Sequence, residues 1–95
     1  MITRIVKLNI ESSAVDEFMS VLGQVRHRIE QFEGCRSLEL LSDKKDRTVF
    51  FSYSIWESED HLDKYRNSEV FREIWNAIKK YVTSKPNAWT VENTL

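Results

Sequence analysis

Between Val49 and Trp56 the chain runs Val-Phe-Phe-Ser-Tyr-Ser-Ile-Trp, a stretch without Gly or Pro in which every residue is aromatic, β-branched or Ser. That composition suits a pleated strand. Successive side chains of a strand point to opposite faces. One phase therefore holds Val49, Phe51, Tyr53 and Ile55, and the other Phe50, Ser52, Ser54 and Trp56. The first is uniformly large and mostly apolar. The second sets two hydroxyls between two aromatics. Neither suits plain water, so the strand is expected to be covered on both sides. One cover is the chain's own helices, and the other is expected to be a second copy of the chain.

The remaining elements follow from periodicity. Ile2 to Ile10 alternates, with Ile2, Arg4, Val6, Leu8 and Ile10 on one face and Thr3, Ile5, Lys7 and Asn9 on the other, a strand with one apolar and one mixed face. Ser12-Ser13 supply an N-cap, and Val15, Phe18, Leu22, Val25, Ile29 and Phe32 then recur at steps of three and four, the stripe of an amphipathic helix. Gly34 is expected to end it as a left-handed C-cap. Cys35 to Ser42 reads as a second strand, and the polar run 42–47 as a solvated hairpin connection to the strand at Val49. Ser58 caps a helix opened by Glu59 and Asp60 whose inner edge is Leu62 and Tyr65. Asn67-Ser68 interrupts it. Ser68 recaps a second piece with Phe71, Ile74, Trp75, Ile78 and Val82 on one stripe, Pro86-Asn87 breaks it, and Ala88 to Leu95 reads as a fourth strand with Trp89, Val91 and Leu95 in one phase.

The order is β-α-β-β-α-β, an α+β, ferredoxin-like arrangement with a four-stranded antiparallel sheet. Two helices cover only one face of such a sheet, and an uncovered apolar face normally marks an interface. A two-fold, face-to-face homodimer is the commonest closure.

Ninety-five residues make a single domain, 1–95. A net charge of −1, with 14 basic and 15 acidic residues intermixed, gives no field for nucleic acid or an anionic membrane. No stretch reaches the ~20 apolar residues of a membrane span, and the charged N-terminus lacks a signal-peptide core. The lone Cys35 forms no internal disulfide, which favours a reducing, cytoplasmic setting. One Cys and two distant His make no metal-ligand cluster.

The run Ile55-Trp56-Glu57-Ser58, followed by Leu62, Tyr65, Asn67-Ser68 and Val70-Phe71, resembles the antibiotic biosynthesis monooxygenase family, whose members carry a W-x-S–helix–S-x-x-F signature. The Glu33-Gly34-Cys35 turn is similar to that family's Pro-Gly or Glu-Gly corner. The resemblance extends over the whole chain in element order and length. It implies a dimeric α+β barrel with a pocket in each protomer between sheet and helices. Family members include cofactor-free oxygenases of quinols and polycyclic phenols, haem-degrading enzymes and proteins acting on small signalling molecules. The implied activity is a cofactor-independent monooxygenase of a small aromatic, phenolic or quinol-like substrate, with dioxygen as co-substrate. The alternative is a non-catalytic, dimeric small-molecule-binding module of the same fold. Trp56 matches the strand-end Trp that lines the oxygenase pocket. Ser52 stands where the family's polyketide oxygenase has an Asn, offering one hydroxyl in place of the amide's pair of functions. Haem degradation is disfavoured, because the axial His one turn after the family's Phe is here Trp75, a donor only.

Such chemistry needs a flat-ring site, donors for the substrate anion and exclusion of water. Trp56, Ser52 and Tyr65 are candidate donors, and Phe18, Phe50, Phe71 and Trp75 candidate walls. The aromatic stripe also fits plain core packing. Arg4, on the apolar face of the first strand, reads either as a strand-end residue with its head in water or as an anion-binding group at a pocket rim. His61 lies in the first turn of its helix, where the dipole disfavours imidazolium. Facing inward it is the best general base; following two acids, it also fits a solvated position. His27, between Arg26 and Arg28 and off the apolar stripe, reads as solvated.

Overall fold

In the computed structural model, which describes residues 1–95, the chain forms β1 (Ile2–Asn9), α1 (Val15–Glu30), β2 (Cys35–Ser42), β3 (Val49–Trp56), α2 (Glu59–Arg66), α3 (Glu69–Ile78) and β4 (Asn87–Val91). Short 3₁₀ turns occupy Ser12–Ala14 and Lys79–Tyr81. The sheet order is β2-β3-β1-β4 with every neighbouring pair antiparallel. β1 and β2 thus run the same way with α1 as their crossover, and β3 is inserted between them. The architecture is α+β and ferredoxin-like. No helix is long and apolar enough to cross a membrane.

The two central strands are the two richest in large apolar residues, and the edges carry the irregularities. β2 has a bulge at Arg36, between the pairs Cys35–Trp56 and Ser37–Ile55, while β4 is five residues long and follows Pro86. Both devices discourage a free edge from pairing further. β4 ends at Val91, so the expected extension to Leu95 is not formed, and Leu95 is fully exposed. Four residues with Glu, Asn and Thr among them offer no alternation to hold a strand.

The serines expected to cap α1 lie instead in the 3₁₀ turn before it. There Ala14 N–H donates to the Glu11 carbonyl, and no side chain caps the helix. The helix also stops at Glu30, before Gly34. Gly34 nevertheless takes the left-handed backbone, with φ +89°. A Cβ there would collide with the His61 ring, and its carbonyl accepts from Glu57 N–H at 2.8 Å. The corner between α1 and β2 is thereby tied beneath the start of α2, where only glycine fits. His27 is exposed, as its position off the stripe implies.

α2 and α3 begin as their sequences indicate. Ser58 Oγ accepts from His61 N–H at 3.2 Å, and Ser68 Oγ accepts from Phe71 N–H at 3.1 Å. Ser68 also donates to the Tyr65 carbonyl at 2.6 Å, so one hydroxyl closes α2 and opens α3. The helices cover one face of the sheet, the face carrying Phe50, Ser54 and Trp56, all buried. The opposite face bears Glu39, Tyr53, Ile5 and Trp89 in one cross-strand row, and Ser37, Ile55, Thr3 and Val91 in the next. Tyr53, Trp89, Val91 and Leu41 are 37–48% exposed on that side.

Candidate functional site

Strand register builds the floor of the space under the helices. Ser52 lies between Leu40 of β2 and Val6 of β1, which abuts Ala88 of β4. One row on, Ser54 lies between Leu38 and Arg4, which abuts Thr90. Large rings flank the two small hydroxyls along β3, and each ring anchors a separate half of the core. Phe50 packs with Ile10, Val15, Phe18, Ile78 and Tyr81; Trp56 packs with Ile29, Leu38, Leu62, Tyr65 and Ile74. Between them a cavity of about 370 Å³ opens over the serines, within the size range of small-molecule sites.

Phe18, Phe50, Tyr65, Phe71 and Trp75 line this cavity together with Trp56, Ser52 and Arg4. The walls are braced by ring contacts. Trp56, with no exposed surface, stacks on Tyr65 at 5.0 Å between centroids and 25° between planes. Tyr65 meets Phe71 edge-on at 5.3 Å, and at the opposite end Phe18 meets Phe50 edge-on at 5.0 Å. The Trp-Ser and Ser-Phe portions of the sequence signature thus have distinct physical roles: its two serines cap helices, while Trp56 and Phe71 hold Tyr65 between them. Trp75, at the position where haem-degrading relatives would need a ligand, is a wall residue with no lone pair to offer iron.

His61 is the exception among the expected site residues. It lies outside the cavity, with Nδ1 2.6 Å from Ser58 Oγ and its ring over Gly34. The reciprocal bond between capping serine and His61 turns the ring back along the helix start, so it does not face the cavity as the general-base reading requires. The Trp56 indole N–H is also committed, donating to Ser54 Oγ at 2.9 Å. Ser54 Oγ in turn reaches the Arg4 carbonyl at 3.5 Å. The pairing satisfies a buried indole donor and leaves Ser52 as the strand hydroxyl that faces the cavity without such a partner.

Arg66 joins Arg4 among the lining residues, and sequence reasoning overlooked it. It stands four residues after Leu62, a spacing that places both on one side of α2. Since Arg66 and Ala88 are exposed while Phe18, Leu62 and Trp56 are buried, the cavity opens at the β1–β4 side, past the two arginines. Tyr81, three residues beyond Ile78, was likewise unanticipated as core.

Burial, with the negative charge of the nearby Cys35 thiolate adding to it, pushes the Tyr65 phenol far above its ordinary value of 10.0. Tyr65 therefore keeps its phenolic proton at neutral pH, which makes its O–H available as a donor and disfavours it as a base. Its proton is retained longer in the folded than in the unfolded state. The resulting stability is complete below pH 10 and is lost as pH rises from there toward the folded value, at up to about 1.4 kcal/mol per pH unit. Urea titrations between pH 8 and 11 should show a steeper alkaline loss in the native protein than in Tyr65→Phe; parallel losses would contradict the burial of a protonated phenol.

A sequence model of the family described as antibiotic biosynthesis monooxygenase matches residues 1–77. Among solved structures, an antibiotic biosynthesis monooxygenase superposes with a TM-score of 0.91 at 19% identity, with both chains covered in full. A conserved protein from Methanosarcina mazei Go1 gives 0.90 at 19% identity, covering 99% of this chain and 94% of that one. A protein from Mycobacterium tuberculosis gives 0.85 at 15% identity, covering 97% and 93%. No curated protein matches the sequence. At these identities the structural likeness speaks for the fold.

Proposed function

The chain belongs to the antibiotic biosynthesis monooxygenase family, and from that premise we propose that it is a homodimeric, cofactor-independent monooxygenase of a small aromatic, phenolic or quinol-like substrate. The observation that carries this reading is the cavity itself, with aromatic walls and a hydroxyl floor between the halves of the core. A flat ring would lie between Phe71, Trp75 and the strand residues that line the cavity. Ser52, and Tyr65 held in its protonated form, are the candidate donors to an oxygen of the ring.

In the proposed reaction the substrate hydroxyl loses its proton, and the electron-rich anion passes one electron to dioxygen. The two radicals combine at a ring carbon to form a C–O bond. The O–O bond then breaks and that carbon gives up its hydrogen, yielding a quinone and one water from one phenol and one dioxygen. The protein's tasks are to bind the ring, stabilise its anion and keep bulk water away from the peroxide. With His61 outside the cavity, no lining side chain is an obvious base, so water at the mouth receives the proton. The homodimer would cover the exposed apolar sheet face; that half of the proposal rests on Tyr53, Trp89 and Val91.

Oxygen uptake in the presence of simple hydroquinones and naphthols tests the activity. The native protein should exceed buffer, and Ser52→Ala should lower kcat about 100- to 1,000-fold, as loss of a donor to a developing oxyanion does. Uptake no faster than buffer across the panel would favour a non-catalytic binding module of the same fold.

A further inference from the structure

The two guanidinium groups at the cavity mouth have no carboxylate partner. Arg26, Arg28 and Arg47 each lie within 4 Å of an acid, namely Glu30, Glu73 and Asp16; Arg36 and Arg72 do not, but neither borders the cavity. Arg4 instead donates through Nη1 to the Thr90 hydroxyl at 2.8 Å, and its remaining N–H groups are not engaged by an anion. Arg66 forms no ion pair. Both border a cavity whose other lining residues are almost wholly apolar. The consequences reach Arg4 itself: burial, then the charge of Arg66, pull its pKa below the ordinary value, and Asp63, beyond ion-pair distance, offsets this only in part. Two like charges at the lip of an apolar chamber, one of them half-buried, favour an anion placed between them.

Building on the proposed aromatic site, we infer that Arg4 and Arg66 form a clamp for a permanently anionic substituent, a carboxylate or its equivalent, carried by the aromatic substrate. The ring enters the cavity and the anion stays at the mouth, where Arg66 is exposed and Arg4 half-buried. A guanidinium matches a carboxylate edge with two parallel N–H donors, so the pair fixes which end of the ring goes in first. The substrate is thereby oriented with its far edge toward Ser52 and Trp56. Selectivity follows from the same arrangement: a neutral ring of equal size leaves both charges uncompensated.

The test compares 1,4-dihydroxy-2-naphthoate with its uncharged carboxamide by isothermal titration under nitrogen, with the native protein, Arg4→Gln and Arg66→Gln. Arg66→Gln, at the exposed end of α2, leaves the core untouched should Arg4→Gln fold poorly. The native protein should bind the acid at least 10-fold more tightly than the carboxamide. Each Gln variant should lose most of that preference through weaker binding of the acid, and raised salt should shrink it. Equal affinities in the native protein would overturn the clamp while leaving an aromatic site in place, and absence of binding by both compounds would overturn it as well. Arginine-dependent binding of the acid without oxygen uptake would keep the clamp and remove the oxygenase reading.

Discussion

Trp56→Ala is expected to lower folding stability by about 3–5 kcal/mol, as removal of a fully buried large aromatic does. A domain of this length has roughly 5–14 kcal/mol in total, so the variant should be largely unfolded by mild urea or modest heating. The cause is specific. Trp56 carries no exposed surface, supports Tyr65 across its face and Phe32 at its edge, and satisfies its N–H through Ser54. Truncation removes the ring contacts and frees the Ser54 oxygen in a buried place. Trp56→Phe keeps most of the packing and should cost about 1–2 kcal/mol, the scale of one buried hydrogen bond with its partner stranded. Since the indole donor is already occupied, Trp56→Phe should also keep most of any oxygen uptake. A urea midpoint for Trp56→Ala near that of the native protein would remove Trp56 from its place as the keystone of that half of the core.

On the open side of the sheet, Tyr53→Asp should turn the proposed two-subunit particle into single subunits or insoluble protein. Tyr53 sits between Glu39 and Ile5, with Trp89 next along the row, so a carboxylate there would be desolvated by any copy packed on the face. It would also lie across from an existing acid. Lys64→Asp on the exposed side of α2 is the control and should sediment like the native protein. Sedimentation at micromolar concentration decides the matter. A native profile for Tyr53→Asp would mean that the face is not where subunits meet.

Much of the helix-covered side of this molecule could be read in advance from the alternation along β3. The phase Phe50, Ser52, Ser54, Trp56 sets two small hydroxyls between large rings, and the cavity lies over those serines. The residues whose spacing marked a buried stripe, such as Phe18, Phe71 and Trp75, arrived where periodicity placed them. What could not be read depended on local hydrogen bonding. Whether His61 faced in or out turned on its ring finding Ser58 Oγ, a choice that helical phase alone does not make. Ser12 and Ser13 have the right chemistry for a cap, but the 3₁₀ turn moves the helix start past them. The occupied indole N–H of Trp56 required knowing that Ser54 lies within reach two residues back on the same face. Arg66 was hidden by its charge, which reads as solvent-facing until β4 and β1 are seen to leave an opening beside it.

The cavity separates two clusters of buried side chains, one gathered on Phe50 and the other on Trp56. A molecule lodged there would behave as a removable piece of the protein's interior, bridging the two clusters. Ligands should consequently announce themselves by raising the melting temperature, by about 2.7 kcal/mol of added stability at a hundredfold excess over Kd. Heat resistance thus becomes a reporter through which a library of aromatic acids can be sorted before any reaction is assayed.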